Sequence, residues 1–420
     1  MTGQNKSVLE GIRELTSHII ARAAEIEAAR RIPLDIVQSL KSAGVFRMFV
    51  PRSHGGLELA LPTGLEAIRA LGRVDGSVGW TAMIGSGSAL FASLLPRETY
   101  DRIYERGPDV IFAGSSQPVG KAETTADGWR VNGRWPFASG CQHADWIIGF
   151  CVVTAGGTSL PEPDLQAGSP LIRGFALPAS EWQIEDTWNV AGLKGTGSHH
   201  VSLTEAIVPT TNSLDPTNGE SCLPGPLYQT IPQFLPVMHA TIALSMAEGA
   251  LEDIVALAKT GRRQLRAASP LQDSEVFQSE LGRLSAELRA AQAFLQIQVA
   301  SHWRHALAGT LKNETQLAHG TQAAIWICAT CVRIADACFA LGGGSSIYDS
   351  SPLQRRMRDL HVAAQHAVAH QRHYVGVGKL LLGSSDIVQH QRLNGRRKGR
   401  PAAGVAANIA SAVRITSTRG

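Results

Sequence analysis

The sequence predicts an α+β protein with an N-terminal helical domain, a central β domain and a C-terminal four-helix bundle. Apolar residues recur every three or four positions from Glu10 to about Tyr104, which is typical of amphipathic helices. Between about Asp109 and Ser213, short β-branched and aromatic runs alternate with Gly, Pro and Asp-Gly turns, which indicates six to eight strands. From about Pro236 to Leu382, long helical patterns return and predict the bundle.

These changes of pattern give the expected boundaries: residues 1–108, 109–225 and 226–390, followed by a basic tail, residues 391–420. In the first domain, Pro33 suits the first turn of a helix, and Gly44 lies where that helix would stop. In the bundle, the fourth helix is predicted to run without a break from Leu353 to Leu382.

Composition favours a globular cytoplasmic protein with no membrane partner. Of the 420 residues, 44% are hydrophobic and 18% charged, which is enough to bury a large core. No uninterrupted apolar run reaches the roughly 20 residues of a membrane span, and the N-terminus lacks a signal-peptide pattern. The six cysteines are too scattered for a disulfide framework, and Cys328 and Cys331, although spaced as CxxC, lie in an apolar run that favours core packing over zinc.

The net charge of +4 does not indicate a nucleic-acid partner, because it comes from the tail. Residues 391–420 contain seven Lys or Arg and no acidic residue, so the rest of the chain has 32 basic and 35 acidic residues. The tail has no apolar period, which predicts a disordered extension.

Four strings in order give the chain a resemblance to a known family. They are "RRIPLDIVQSLKSAGVFRMFVPRSHGG", "GWRVNGRWPFASGCQHADW", "NVAGLKGTGSHHVSLTEAIVP" and "LGGGSSIYDSSPLQRRMRDLHVAAQH". From about Glu10 to Gly383 the chain resembles the acyl-CoA dehydrogenase fold, and more closely its oxygenase branch, the two-component flavin-dependent monooxygenases. The resemblance implies a central β-barrel-like domain, a flavin between that domain and the bundle, and a homotetramer.

The resemblance also implies a set of flavin contacts. Ser139 in "FASG" would approach the ring edge, Ser115 or Ser116 in "FAGSSQP" would line the flavin and the substrate, and Ser115 is also a catalytic candidate. Each of these serines is otherwise an ordinary polar strand end. Thr196 and Ser198 are candidates in a turn beside the flavin. Arg263, Gly343, Gly344 and Ser345 are candidates for the phosphate or adenosine part of a flavin from a neighbouring subunit, although Arg263 is equally explained as a solvated helix end.

The family's dehydrogenases remove an α-proton with a glutamate, and neither family position carries one here. The late position reads Tyr374-Val375-Gly376, and the early position holds His239. His239 is a substrate-binding candidate that can also act as a base, although a histidine lining a helix interface is the simpler interpretation. A β-oxidation role therefore loses most of its support.

Four histidines fall between residues 358 and 374, and the resemblance implies that His366 bonds a flavin C4a-hydroperoxide or the substrate. His366 and His370 would share a helical face, His361 is a second catalytic candidate, and no acid accompanies the pair, so no metal site is predicted. Phenol hydroxylases of the family carry another histidine at the position that Ser88 occupies in this chain. Ser88 is a substrate-binding candidate, and it would make the wall of the substrate pocket smaller and less basic.

The predicted function is that of a monooxygenase acting on a small organic substrate, aromatic or polycyclic. It would use O₂ and reduced FMN or FAD supplied by a separate NAD(P)H-dependent flavin reductase, because no GxGxxG dinucleotide motif follows a strand. The alternatives are an acyl-CoA dehydrogenase or oxidase with a base other than glutamate, an N-hydroxylase of an amine, and a flavin-binding protein without catalysis.

Overall fold

Helices surround one β-sheet in the computed structural model, which describes residues 7–161, 169–228, 231–265, 267–311 and 313–383. The predicted disordered tail lies outside these ranges. Six helices precede the sheet: α1 (Val8–Ala21), α2 (Ala23–Ala29), α3 (Leu34–Ser42), α4 (Leu61–Val74), α5 (Gly76–Ala92) and α6 (Arg97–Tyr104). Pro33 immediately precedes the first turn of α3, at the N-cap position rather than within the turn, and Gly44 follows the end of the helix as predicted, in a left-handed conformation with φ of +83°.

The central sheet has eight strands within the described residues, in agreement with the prediction. They are β1 (Phe112–Thr125), β2 (Gly128–Trp135), β3 (Trp146–Ala155), β4 (Thr158–Ser159), β5 (Ile172–Pro178), β6 (Gln183–Glu185), β7 (His200–Val208) and β8 (Ser213–Leu214). The order is β6-β7-β2-β1-β3-β5-β8, with β4 on β3; β1 and β3 are parallel and the other pairs antiparallel. In the described part of the chain the end strands β6 and β8 are not paired with each other, so the sheet is open.

The C-terminal region contains α7 (Ile231–Lys259), α8 (Glu275–Leu307), α9 (Glu314–Gly342), α10 (Pro352–Ala363) and α11 (Tyr374–Leu381). The prediction of one unbroken last helix is wrong, because α10 stops at Ala363 and two 3₁₀ turns precede α11. His366 has extended backbone, with φ of −62° and ψ of 140°, and its Nδ1 accepts the Val368 N–H. His370 accepts the Arg372 N–H in the same way, so the two histidines cap successive turns rather than sharing a helical face.

Helix α5 is packed closely between α4 and α7. A Cβ on Gly79 would lie 2.4 Å from the Gly72 Cα and 2.7 Å from the Ile242 Cδ1, so only glycine allows this approach. Nearly every residue of α5 is buried, including Trp80. The position of this helix is therefore fixed by contacts on both of its sides.

A buried arginine joins α10 to the helices beside α5. The Arg356 guanidinium donates to the carbonyls of Gly72, Arg73 and Val74 at the end of α4, and to the Asp253 carboxylate of α7 at 3.1 Å. These bonds satisfy carbonyl groups that the end of a helix otherwise leaves unpaired. Arg356 thereby fixes α10 on both α4 and α7.

Two of the long helices are apolar enough to cross a membrane by length and composition. In the span from Phe234 to Lys259 the most apolar window is 89% buried, whereas in the span from Thr315 to Ser345 it is 50% buried. The first is therefore a core helix. The second contains Cys328 and Cys331, both buried in the hydrophobic core as predicted for the CxxC.

A buried carboxyl group connects α10 to the loop before β7. The Asp359 Oδ1 accepts the Leu193 N–H at 2.5 Å, and a Cβ on Gly192 would lie 2.3 Å from the Arg358 carbonyl oxygen. Burial, and then the nearby Asp75, raise the pKa of Asp359 to about 7. This group is therefore protonated in the folded protein at pH values where an exposed aspartate is ionised.

We expect Asp359→Asn to become more stabilising, relative to the parent protein, as the pH rises from about 4 to 7. Over that window the unfolded parent chain has lost the Asp359 proton and the folded protein retains it, so ionisation of Asp359 lowers the stability of the fold. Asparagine still accepts the Leu193 N–H but does not titrate. Thermal unfolding of both proteins across the pH series measures the difference, and a difference independent of pH would contradict the expectation.

Candidate active site

A cavity of about 350 Å³ lies where α5, the sheet and the C-terminal helices meet. One face of α5 lines it with side chains spaced three and four apart: Trp80, Met83, Ile84, Gly87, Ser88 and Phe91. The wall is otherwise largely apolar, with Phe150 of β3 packed edge-on against Phe91 at 6.3 Å. Such a lining suits a planar aromatic ligand with a few fixed polar contacts.

Eight of the residues predicted from the sequence line this cavity. They are Ser88, Ser115, Ser116, Ser139, Thr196, Ser198, His239 and His366. Both Ser115 and Ser116 reach it because the pairing of β1 with β3 shifts register between Ser115 and Gly120. A regular strand would send neighbouring side chains to opposite faces of the sheet.

Three hydroxyl groups and an indole form a hydrogen-bonded chain on the sheet side of the cavity, called here the hydroxyl chain. The Trp80 Nε1–H donates to Ser139 Oγ at 3.1 Å, and the oxygens of Ser139 and Ser198, and of Ser198 and Thr196, are each 2.7 Å apart. Thr196 Oγ1 donates to the Leu193 carbonyl at 2.8 Å.

The two ends of the hydroxyl chain fix the direction of every bond in it. Because Thr196 gives its only proton to Leu193, it must accept from Ser198, which in turn must accept from Ser139. Ser139 therefore donates to Ser198 and accepts from Trp80. The remaining lone pair of Ser139 Oγ can only accept another hydrogen bond.

Two histidines stack on each other beside Trp80. The rings of His239, from α7, and His366 are 4.1 Å apart between centroids and tilted by 33°. The Trp80 indole meets them edge-on, at 5.3 Å from His239 and 5.9 Å from His366. Trp80 is thus shared by the hydroxyl chain and the histidine pair.

Both histidines are neutral near pH 7. Burial lowers the pKa of His239 to about 4, and burial together with His239 lowers the pKa of His366 well below its ordinary value. His239 Nδ1 lies 2.9 Å from the Leu235 carbonyl and must donate to it, so the neutral ring has a bare Nε2, which is buried without a partner. His366 Nδ1 accepts the Val368 N–H, so its proton is on Nε2.

Trp80 and Phe137 were not identified as site residues from the sequence. An indole on a helix that is apolar on all sides gives no signal of its own, so the sequence does not mark Trp80 as a site residue. Phe137 also lines the cavity, is 56% exposed and has a φ of +65°, an unusual conformation for a phenylalanine. It packs edge-on against Trp188 at 6.3 Å.

The other predicted site residues lie outside the cavity. His361 is half-exposed and pairs with Asp336 at 2.8 Å, so the structure does not bring this catalytic candidate to the site. Arg263 is exposed, and the segment with Gly343, Gly344 and Ser345 follows α9. The loop of Arg263 lies beside this segment: Gln264 Nε2 donates to the Leu341 carbonyl in the last turn of α9 at 3.2 Å, and a Cβ on Gly343 would lie 3.1 Å from the same nitrogen.

Comparison with known proteins gives the family. Residues 2–96 match the model of the acyl-CoA dehydrogenase N-terminal domain, and residues 237–371 that of the C-terminal domain. An indole-3-acetate monooxygenase of Pseudomonas putida is 31% identical over 388 residues, 91% of this chain and 94% of that protein. The chain belongs to the flavin-dependent monooxygenases of the acyl-CoA dehydrogenase family. The predictions of fold, family and enzyme class are therefore confirmed.

Two further relatives bear on the cofactor and the partner. The oxygenase subunit HsaA of a flavin-dependent monooxygenase from Rhodococcus jostii is 28% identical over 377 residues, 87% of this chain and 96% of that subunit. XiaF from Streptomyces sp., solved with FADH2 and glycerol, has a TM-score of 0.81 and 25% identity, covering 90% of this chain and 97% of that one. Like its family, this chain uses reduced flavin and O₂, and it acts with a separate flavin reductase on a small molecule, as predicted.

No group of three or more His, Cys, Asp or Glu residues in the described ranges is arranged to hold a metal ion. The polar groups that do face the cavity are hydroxyls, the amides of Gln117 and Gln365, and the two neutral imidazoles. Such groups form directional hydrogen bonds to a flavin ring and to an aromatic substrate.

Proposed function

We propose that reduced flavin lies against the hydroxyl chain and an aromatic substrate against the histidine pair, and that the enzyme hydroxylates that substrate. In the overall reaction, a substrate C–H bond, O₂ and reduced flavin are converted into a C–OH group, water and oxidised flavin. The observation that carries the proposal is the arrangement around Trp80, whose indole contacts both a directional acceptor, Ser139 Oγ, and two neutral imidazoles. The bound flavin supplies two electrons and activates O₂.

The hydroxyl chain fits the reduced state of the flavin. Ser139 Oγ has only acceptor capacity left, and the central nitrogen of a reduced flavin, N5, carries a hydrogen, whereas the oxidised ring has a lone pair there. An acceptor facing that nitrogen favours the reduced ring. Ser139 therefore helps the enzyme take reduced flavin from its reductase and release oxidised flavin.

We expect Ser198→Ala to reduce the preference for reduced over oxidised flavin by about 5- to 10-fold, the value of one neutral hydrogen bond. Without Ser198, the Ser139 proton is free to turn toward a lone pair on the oxidised ring. Anaerobic titrations with each redox state give the two dissociation constants. Ser86→Ala is the matched control, because Ser86 is buried on the same helix as Trp80 and bonds only within α5. An unchanged ratio of constants in the Ser198 variant would contradict the proposal.

His366 has the chemistry of a hydrogen-bond donor in a dry site. Its neutral ring keeps a proton on Nε2, and its Nδ1 is held by the Val368 N–H, so the ring is fixed in this tautomer. A fixed donor can bond the oxygen atom that is transferred or orient the substrate for attack.

We expect His366→Ala to lower the yield of hydroxylated product per reduced flavin, with the missing oxygen recovered as hydrogen peroxide. The rate of product formation should fall about a hundredfold, which is typical for a positioned acid–base group. Flavin affinity should remain within a few-fold of normal. His361→Ala is the control, because His361 is half-exposed and outside the cavity. Normal product yield in the His366 variant would remove this residue from the mechanism.

A homotetramer is supported by apolar surface on the C-terminal helices. Only half of the most apolar window around α9 is buried, and Trp326, Ile347 and Tyr348 are large exposed side chains in or just after it. Surface of this kind in a protein of this size suits an interface between subunits. The adjacent Arg263 and Gly343–Ser345 segments lie outside the cavity, where they can meet the distal part of a flavin held mainly by another subunit.

We expect native mass spectrometry of the flavin-loaded protein to show a tetramer, and Trp326→Glu to weaken it, because the charge would have to be buried in the interface. Removal of residues 391–420 is the control and should leave assembly intact, since that tail has no apolar period. A monomer that binds reduced flavin with full affinity would contradict the proposed assembly.

A further inference from the structure

The cavity lining has no charged side chain. Among the described residues that line it there is no Lys, Arg, Asp or Glu, and the two imidazoles that might carry charge are neutral near pH 7. An anionic group in such a cavity would lose its hydration without gaining a cationic partner. Burial of an unpaired carboxylate is strongly unfavourable.

The buried, unpaired polar atom of His239 is an acceptor. His239 Nδ1 is committed as a donor to the Leu235 carbonyl, and His239 Nε2 is buried with a lone pair and no partner. A buried acceptor left unpaired costs about 1–3 kcal/mol, which a ligand with a donor in the right place would recover. The stacked His366 has the opposite tautomer and offers a donor.

We infer that the cavity selects an uncharged aromatic substrate whose ring N–H or O–H donates to His239 Nε2, which makes His239 a specificity-determining residue. The inference rests on the proposed function and adds to it the charge and the polarity of the substrate. It also separates this chain from the Pseudomonas putida relative, whose name specifies indole-3-acetate, a carboxylate at neutral pH.

The requirement for an uncharged ligand is tested with two compounds of nearly equal shape. Indole-3-acetamide and indole-3-acetate differ in charge, and their affinities are measured by anaerobic calorimetry with the wild-type enzyme loaded with reduced flavin. We expect the amide to bind at least about tenfold more tightly than the carboxylate. Equal affinities, or tighter binding of the carboxylate, would overturn the inference.

The role of His239 is tested with indole, 1-methylindole and 3-methylindole. Methylation of the nitrogen removes the donor, whereas methylation of the carbon adds the same volume and keeps it. We expect only 1-methylindole to lose affinity, by about 5- to 10-fold. The His239→Phe variant removes the acceptor and keeps a ring. Its affinity for indole should be lower than that of the wild-type enzyme by the same factor, whereas its affinity for 1-methylindole should be unchanged. His239→Gln, with a carbonyl acceptor, should recover part of the affinity for indole.

These outcomes are distinct from failure of the proposed function. If reduced flavin binds and some aromatic compound is hydroxylated, but N-methylation costs no affinity or the Phe variant loses affinity equally for indole and 1-methylindole, the role of His239 is wrong and the function stands. If reduced flavin does not bind, or no aromatic compound is hydroxylated, the function itself is wrong. The comparisons of ligands on the wild-type enzyme hold even if a variant fails to fold.

Discussion

The hydrogen bond from the Trp80 indole to Ser139 Oγ is the contact on which the active site depends. Trp80 belongs to α5, Ser139 follows strand β2, and the same indole packs against His239 of α7 and His366 beyond α10. Three regions of the chain therefore meet at one side chain. The position of Trp80 is set by the close approach of α5 to α4 and α7 at Gly79. The geometry of the cavity therefore depends on how these helices pack.

Much of the fold and of the sheet side of the cavity could be predicted from the sequence, because the signals there are local. Helix periodicity and strand runs depend on nearest neighbours, and the small hydroxyl residues in "FASG" and "GLKGTGSHH" stand at strand ends where the backbone turns. The family resemblance then predicted that Ser139, Thr196 and Ser198 lie in the same flavin site. All three line the cavity, although their contacts with flavin remain a prediction.

The predictions that failed depend on interactions between distant or unusual groups. The apolar pattern continues past Ala363, so periodicity could not reveal that a histidine ring would cap the next turn, a position that usually holds Ser, Thr, Asp or Asn. Once the helix ends there, His361 and His366 no longer share one helix, and His361 is half-exposed whereas His366 is part-buried and lines the cavity. The tautomers of His239 and His366 depend on backbone groups that only the folded chain brings close.

The fixed direction of the hydroxyl chain also limits how protons can move. A hydrogen-bonded wire conducts a proton only if every hydroxyl along it can turn over in succession, and here the last one is held by the Leu193 carbonyl, which has no proton to give. The hydroxyl chain is thus a fixed set of hydrogen-bond donors and acceptors that does not exchange protons with bulk solvent. Any proton that the cavity exchanges with solvent must therefore pass by a route other than the hydroxyl chain.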